Sequence, residues 1–255
     1  MIKIKSEKEI KVMAANGRIL ARIMEELKKM VRPGLKTKEL DEVAEKLILK
    51  EGAKPSFKNY RGVDDLHAKP FPNSLCVSLN EEIVHGLPSE RVLKEGEIVS
   101  LDLGLVRYGF HVDMAITLAI GTISPEAARL IRITKKCLKL AIKKAKVGNT
   151  FGDVGNAVER YAESQGFGVI RELCGHGIGR ELHEEPQILN CGKRKTGPKI
   201  KNGMVFCLEP MLSLGDWQIK RSANGSYLTR DHSLSAHFEH TIAIINDRAI
   251  VLTEI

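Results

Sequence analysis

The chain has 255 residues, 43% of them hydrophobic and 28% charged, with a formal charge of +8 at pH 7 and a pI near 9.2. That length and balance suit a globular protein with one or two buried cores and exclude a disordered polyelectrolyte. No apolar run reaches the roughly 18 residues of a membrane helix, and the amino terminus MIKIKSEKEIKVM lacks a signal-peptide core, so a soluble cytoplasmic protein without membrane contact is expected.

Ser6 and Glu9 form a capping-box pattern, after which Ile10, Met13, Gly17, Leu20, Met24 and Leu27 recur at three-four spacing until Pro33-Gly34 stops the helix. Similar signals predict helices over about 37–52, 124–148 and 151–166. Strands are predicted for SLCVSL, EIVSLDLGL, FHVDMAITLAI, VIREL, MVFCLEPML and FEHTIAII. Cys76, Cys137, Cys174, Cys191 and Cys207 are odd in number and form no CxxC pair, which points to reduced thiols and not to a disulfide framework. The positive charge lies partly on one solvated helix face, at Lys135, Lys136, Lys139, Lys143, Lys144 and Lys146. It is also concentrated in the loop GKRKTGPKIK from Gly192 to Lys201, the best docking patch for a polyanion such as the ribosome.

Gly34, Leu40, Glu45 and Gly52 reappear at one common displacement as Gly148, Val154, Glu159 and Gly166, and GEIVSLD ending at Asp102 matches GMVFCLE ending at Glu209. An internal duplication predicts an α+β fold with two like halves, about 1–120 and 121–255, meeting about a pseudo-two-fold axis in one domain. An antiparallel sheet would form its centre, with helices outside. Asp102 and Glu209 would face each other across the axis.

Asp102, Asp113, His176, Glu209 and Glu239 lie mostly in apolar runs, where uncompensated charge is costly. The hairpin EIVSLDLGLVRYGFHVDMAIT puts Asp102 and Asp113 on one face. They sit directly opposite if the loop is Arg107-Tyr108, and diagonally, with Asp113 facing Gly104, if it is Tyr108-Gly109. Either register leaves the two carboxylates roughly 5 to 8 Å apart at Cβ, a repulsion that a pair of divalent ions would remove. Pro210 holds Glu209 extended, and glycines flank His176 in LCGHGIGRELHEEP. One imidazole among four carboxylates is an oxygen-rich donor set suited to manganese, iron(II), cobalt or zinc.

GHGIGRELHEEPQ, SLDLG followed by FHVD, CLEPM, and SLSAHFEHTIAI resemble the type 1 methionine aminopeptidases, in the short bacterial-like form without an amino-terminal extension. These belong to the duplicated "pita-bread" metallohydrolases, and the similarity runs essentially the full length. The resemblance implies that Asp102 chelates one of two ions, that Asp113 and Glu239 bridge both, and that His176 and Glu209 complete the other. It implies that His85 contacts the scissile amide, that His183 donates to the carbonyl oxygen, and that Cys76, Phe71 and Leu182 line the methionine pocket. A hydroxide shared by the ions would attack the carbonyl while Glu209 relays the proton. The expected substrates are amino-terminal methionyl peptides of nascent proteins with a small second residue, and the expected state is a monomer.

Three features depart from that pattern: Asn224-Gly225-Ser226-Tyr227 stands where many relatives carry a tryptophan, Arg61 to Phe71 is longer than in compact relatives, and Asn190-Cys191 replaces a histidine-aromatic pair. Proline-specific relatives share the ligands but carry a large preceding domain, whereas here the first catalytic helix starts near residue 6. A type 2 enzyme needs a helical insertion that the stretch from Glu209 to Glu239 cannot hold. A binding module without catalysis would be expected to lose ligands, and none is lost.

Overall fold

The computed structural model describes residues 1–61 and 69–255, so most of the lengthened segment after Arg61 lies outside the described residues. In chain order the elements are α1 Glu7–Met30, α2 Thr37–Lys50, β1 Lys54–Pro55, β2 Leu75–Leu79, β3 Glu82–Val84, β4 Ile98–Arg107, β5 Phe110–Ala119, α3 Pro125–Lys144 and α4 Phe151–Ser164. They continue as β6 Gly168–Val169, β7 Cys174–Gly177, β8 Glu184–Leu189, β9 Val205–Leu208, β10 Met211–Ser213, β11 Ile219–Arg221, β12 Tyr227–Thr229, β13 Ser235–His237, β14 Glu239–Ile245 and β15 Arg248–Val251. No helix among the described residues is long and apolar enough to cross a membrane.

Each of the four predicted helices forms. The Ser6 hydroxyl accepts from Glu9 N while Glu9 Oε2 accepts from Ser6 N at 2.9 Å, closing the capping box of α1. Ser124 with Pro125 starts α3, and Thr150 with Asp153 starts α4. The buried stripe of α1, including Met13, Leu20, Met24 and Leu27, packs with α2 and strands β2, β4 and β5 in one core. Helices α3 and α4 pack with β9 and β14 in a second. Gly17 sits in the α1 stripe because a Cβ there would collide with the Leu252 carbonyl.

The central sheet is antiparallel and runs β1-β4-β5-β14-β9-β7-β8, with β2 also on β4 and β15 on β14. The repeated glycines adopt matched left-handed backbones: φ is 90° at Gly34 and 92° at Gly148, 66° at Gly52 and 78° at Gly166, and 89° at Gly96 and 82° at Gly203. That backbone equivalence is what a duplicated chain would retain, because only glycine adopts these angles without a Cβ penalty.

Two strand expectations need correction, and strands outside the predicted segments also form. VIREL is strand only at its start, in β6. Beyond it Arg171 turns out to pair with Glu159 at 3.6 Å and Glu163 at 3.3 Å and to cover the Trp217 ring. MVFCLEPML is divided between β9 and β10 at Glu209-Pro210, where proline has no N–H for the ladder. Strands β7 and β8 were not anticipated, because their glycine-rich and acidic sequences lack strand periodicity; pairing with β9 and with each other holds them.

Candidate metal centre

The hairpin register places Gly104 opposite Asp113 and Asp102 opposite Ala115, so the turn is Tyr108-Gly109, and both turn residues have positive φ, 53° and 74°. Ala115 in turn faces Glu239 on β14. Residues level across a sheet, or two apart along a strand, share a face, and Asp102, Asp113 and Glu239 therefore converge. His240 pairs with Leu208, which brings Glu209 level with Glu239, and Gly177 pairs with Phe206, which sets His176 beside Cys207. The approach is close: a Cβ on Gly175 would strike the Cys207 carbonyl, and one on Gly177 the Glu185 carbonyl.

Five side chains singled out from separate stretches thus meet around Glu239. Donor atoms of Asp102, Asp113 and Glu239 lie within 4.8 Å of one another, as do those of His176, Cys207 and Glu239 and those of Glu209, His237 and Glu239. His176 Nε2 is 3.5 Å from Glu209 Oε1 and 4.0 Å from Glu239 Oε1. Its Nδ1 lies 3.0 Å from the Gly177 carbonyl, an arrangement in which Nδ1–H donates and Nε2 turns its lone pair to the carboxylates.

Burial, followed by mutual repulsion, drives the Asp113, Glu239 and Glu209 carboxyls well above the usual carboxylate range. Burial pushes Asp102 up to about 7, against the opposing effect of a hydrogen bond with Asp113. Burial also lowers His176 to about 4, so the imidazole brings no positive charge. Asp102 Oδ1, Asp113 Oδ1 and Glu239 Oε1 are buried with no hydrogen-bond partner among the described residues. Four carboxylates, three of them with an orphaned oxygen, and one neutral, oriented imidazole fit divalent cations, which would satisfy the orphans and cancel the repulsion.

The other expected residues lie as follows. Tyr60 Oη is 2.7 Å from His183 Nδ1, and the His183 ring stands edge-on to His176 at 4.3 Å. The segment carrying His183 is pinned by Glu184, which accepts from Arg180 N at 3.0 Å and from the buried Lys5 Nζ at 2.7 Å. His183 keeps exposed surface, yet crowding by protein atoms, and then by the His176, His85 and His111 imidazoles, depresses its pKa well below the usual value. His85 is also solvent-exposed, adopts φ 60°, stands edge-on to Tyr227 at 5.7 Å and is lowered to about 4, by crowding first and the Arg221 charge second. Cys76 is buried directly opposite Asp102. Leu182 is buried in the first core, and Phe71 packs edge-on to Phe57 at its margin.

Sequence reasoning missed Tyr60, Cys207 and His237. Tyr60 comes from an irregular segment with no periodicity to mark it. Cys207 stands out in the sequence only as one of five reduced thiols. His237 carried one usable signal, its position two residues before Glu239 and so on the same side of an extended chain. A surface groove of about 480 Å³ lined by Lys144, Asp153, Arg160 and Arg194 shares no residue with the cluster.

Comparison with known proteins gives a consistent result. Residues 11–246 match the model of metallopeptidase family M24. The chain is 44% identical to a methionine aminopeptidase of Clostridium perfringens over 254 residues, covering 99% of each chain. It is also 44% identical to methionine aminopeptidase 1 of Bacillus subtilis over 256 residues, covering 100% of each. The solved structure of a methionine aminopeptidase from Thermotoga maritima superposes with a TM-score of 0.95 at 41% identity, with 100% of both chains covered. A prolidase from Pyrococcus horikoshii shares the fold, with a TM-score of 0.79 at 23% identity, and this chain covers 63% of it.

Proposed function

The chain belongs to metallopeptidase family M24, among the methionine aminopeptidases, and from that premise we propose how its site removes the amino-terminal methionine of peptides with a small second residue. The observation that carries the reading is the convergence on Glu239 of Asp102, Asp113, His176 and Glu209, with the His183 ring against His176. Asp102, Asp113 and Glu239 would hold one divalent ion and His176, Glu209 and Glu239 the other, with Asp113 and Glu239 shared. Manganese, iron(II), cobalt and zinc all suit these donors. When bound, such ions polarise a carbonyl and ionise water near neutral pH.

The protein's own groups supply the remaining steps. Glu209 takes up the proton of the attacking water and returns it to the leaving nitrogen. His183, its Nδ1 engaged by Tyr60, presents Nε2–H to the substrate carbonyl oxygen as charge builds there. His85 contacts the scissile amide. Cys76, Phe71 and Leu182 form the apolar surface for the methionine side chain, and Ser226-Tyr227 alters the rim where many relatives carry a tryptophan. We read residues 1–120 and 121–255 as the halves of one catalytic unit that works as a cytoplasmic monomer on nascent chains, with the loop from Gly192 to Lys201 as its ribosome-facing patch.

The peptide Met-Ala-Ser, supplied with manganese or cobalt, is expected to yield free methionine, and acetylating its amino group is expected to stop the release. Absence of free methionine with each of the four metals would refute the assignment.

A further inference from the structure

His237 is a second imidazole at the carboxylate cluster, and it sits on the other side of it from His176. Its Nε2 lies 3.7 Å from Glu209 Oε2 and 3.9 Å from Glu239 Oε2, while His176 addresses the Oε1 atoms of the same two residues. The side chain is 2% exposed, and neither ring nitrogen has a hydrogen-bond partner among the described residues. The backbone beneath it is fixed. His237 N donates to Thr117 Oγ1 at 2.8 Å, Thr117 Oγ1 lies 2.8 Å from the His237 carbonyl, and β13 pairs His237 with Met211. A buried imidazole held this firmly and left unpaired is costly unless the site it faces supplies a partner.

The contrast with His176 decides what that partner is. A metal-binding histidine donates its remote ring N–H to a fixed acceptor, which leaves the other nitrogen as a lone pair, and His176 does so through the Gly177 carbonyl. The Nδ1 of His237 has no such acceptor among the described residues. Nothing therefore forces its proton away from Nε2, the nitrogen that faces the two carboxylates. The gap to Glu209 Oε2 is less than 1 Å beyond hydrogen-bond length, and the terminal carboxylate torsion is soft.

We propose that His237 is a positioning residue: its Nε2–H holds Glu209 Oε2 and thereby keeps Glu209 Oε1 turned toward His176 and the cation the two would share. This rests on the metal-site reading above. The hydrogen bond fixes the carboxylate orientation in which Glu209 both ligates and exchanges a proton, so its loss acts on ion affinity and kcat more than on KM. An amide at this position would retain a donor, whereas a branched apolar side chain would not.

The test is calorimetric titration of the metal-free protein with manganese, run on the parent, His237→Leu and His237→Gln, together with kcat and KM for Met-Ala-Ser. His237→Leu is expected to weaken manganese binding about 10-fold or more, the usual cost of losing an outer-shell partner, and to lower kcat with little change in KM. His237→Gln is expected to restore most of both. Unchanged affinity and kcat in His237→Leu, or a loss in His237→Gln as large as in His237→Leu, would overturn the proposal while leaving the metal site standing. A parent protein that binds no ion would remove both. Should the leucine variant fail to fold, the imidazole ¹⁵N spectrum of the zinc-loaded parent decides: a protonated, uncoordinated Nε2 at His237 supports the role, and a coordinated one overturns it.

Discussion

Glu209→Gln is expected to lower kcat by about 10³-fold or more, within the range ascribed to a positioned acid-base group and compounded by loss of an anionic ligand. The substitution is close to isosteric. The backbone on either side is held independently of the carboxylate, by Pro210, by the Asn190 amide donating to the Glu209 carbonyl at 3.0 Å and by the β9–β14 ladder. Far-ultraviolet circular dichroism should therefore match the parent. Because Glu209 Oε1 faces His176 Nε2 at 3.5 Å, metal content should be measured alongside turnover. Turnover within about tenfold of the parent would remove Glu209 from proton transfer.

The second large effect concerns the metal-free protein, which should lose stability as pH rises from about 6.5 to 8. Carboxyls such as Asp102, Asp113, Glu209 and Glu239 are raised in the folded state, so their contribution is complete below the unfolded values near 4 and is lost as pH climbs through the folded ones, about 7 for Asp102. His85, His176 and His240, lowered to about 4, and His237, lowered to about 3, act with the opposite sign. Their contribution is present above the unfolded value near 6.5 and is lost as pH falls toward the folded one. Above pH 6.5 these imidazoles are neutral in both states, and only the carboxyl effect remains. Each proton still held by the folded state makes a slope of about 1.4 kcal/mol per pH unit.

Saturating manganese should abolish this decline, since ions and protons compete for the same oxygens. Glu239→Gln separates the two consequences of that competition. It removes the carboxylate common to all three donor groups, so the metal-free Tm at pH 8 should rise while activity falls by about 10³-fold or more. A metal-free Tm that increases between pH 6.5 and 8, or a Glu239→Gln variant less stable than the metal-free parent at pH 8, would contradict the account of buried repulsion.

The helices and the duplication were legible because each has a local signature. Capping residues, three-four spacing and paired glycines act within a few residues, and the matched φ values at Gly34 and Gly148 show that the repeat extends to the backbone. The clustered carboxylates were legible because a carboxylate in an apolar strand is conspicuous on energetic grounds. The hairpin remained ambiguous until Tyr108 proved to take a left-handed turn position, which a non-glycine residue does not advertise. What lay out of reach depends on contacts between distant segments. Strands β7 and β8 exist through pairing with each other and with β9, and Tyr60 reaches His183 from a segment without regular structure. His237 could be placed on the correct side of its chain. Whether its ring is satisfied or left unpaired depends on what approaches from β9 and β14, and no run of sequence encodes that.

Anomalous scattering from crystals grown with manganese locates the ions themselves. Two peaks are expected, one among Asp102, Asp113 and Glu239 and the other among His176, Glu209 and Glu239. Crystals with no peak at these carboxylates, or with manganese bound only elsewhere on the molecule, would refute the metal centre.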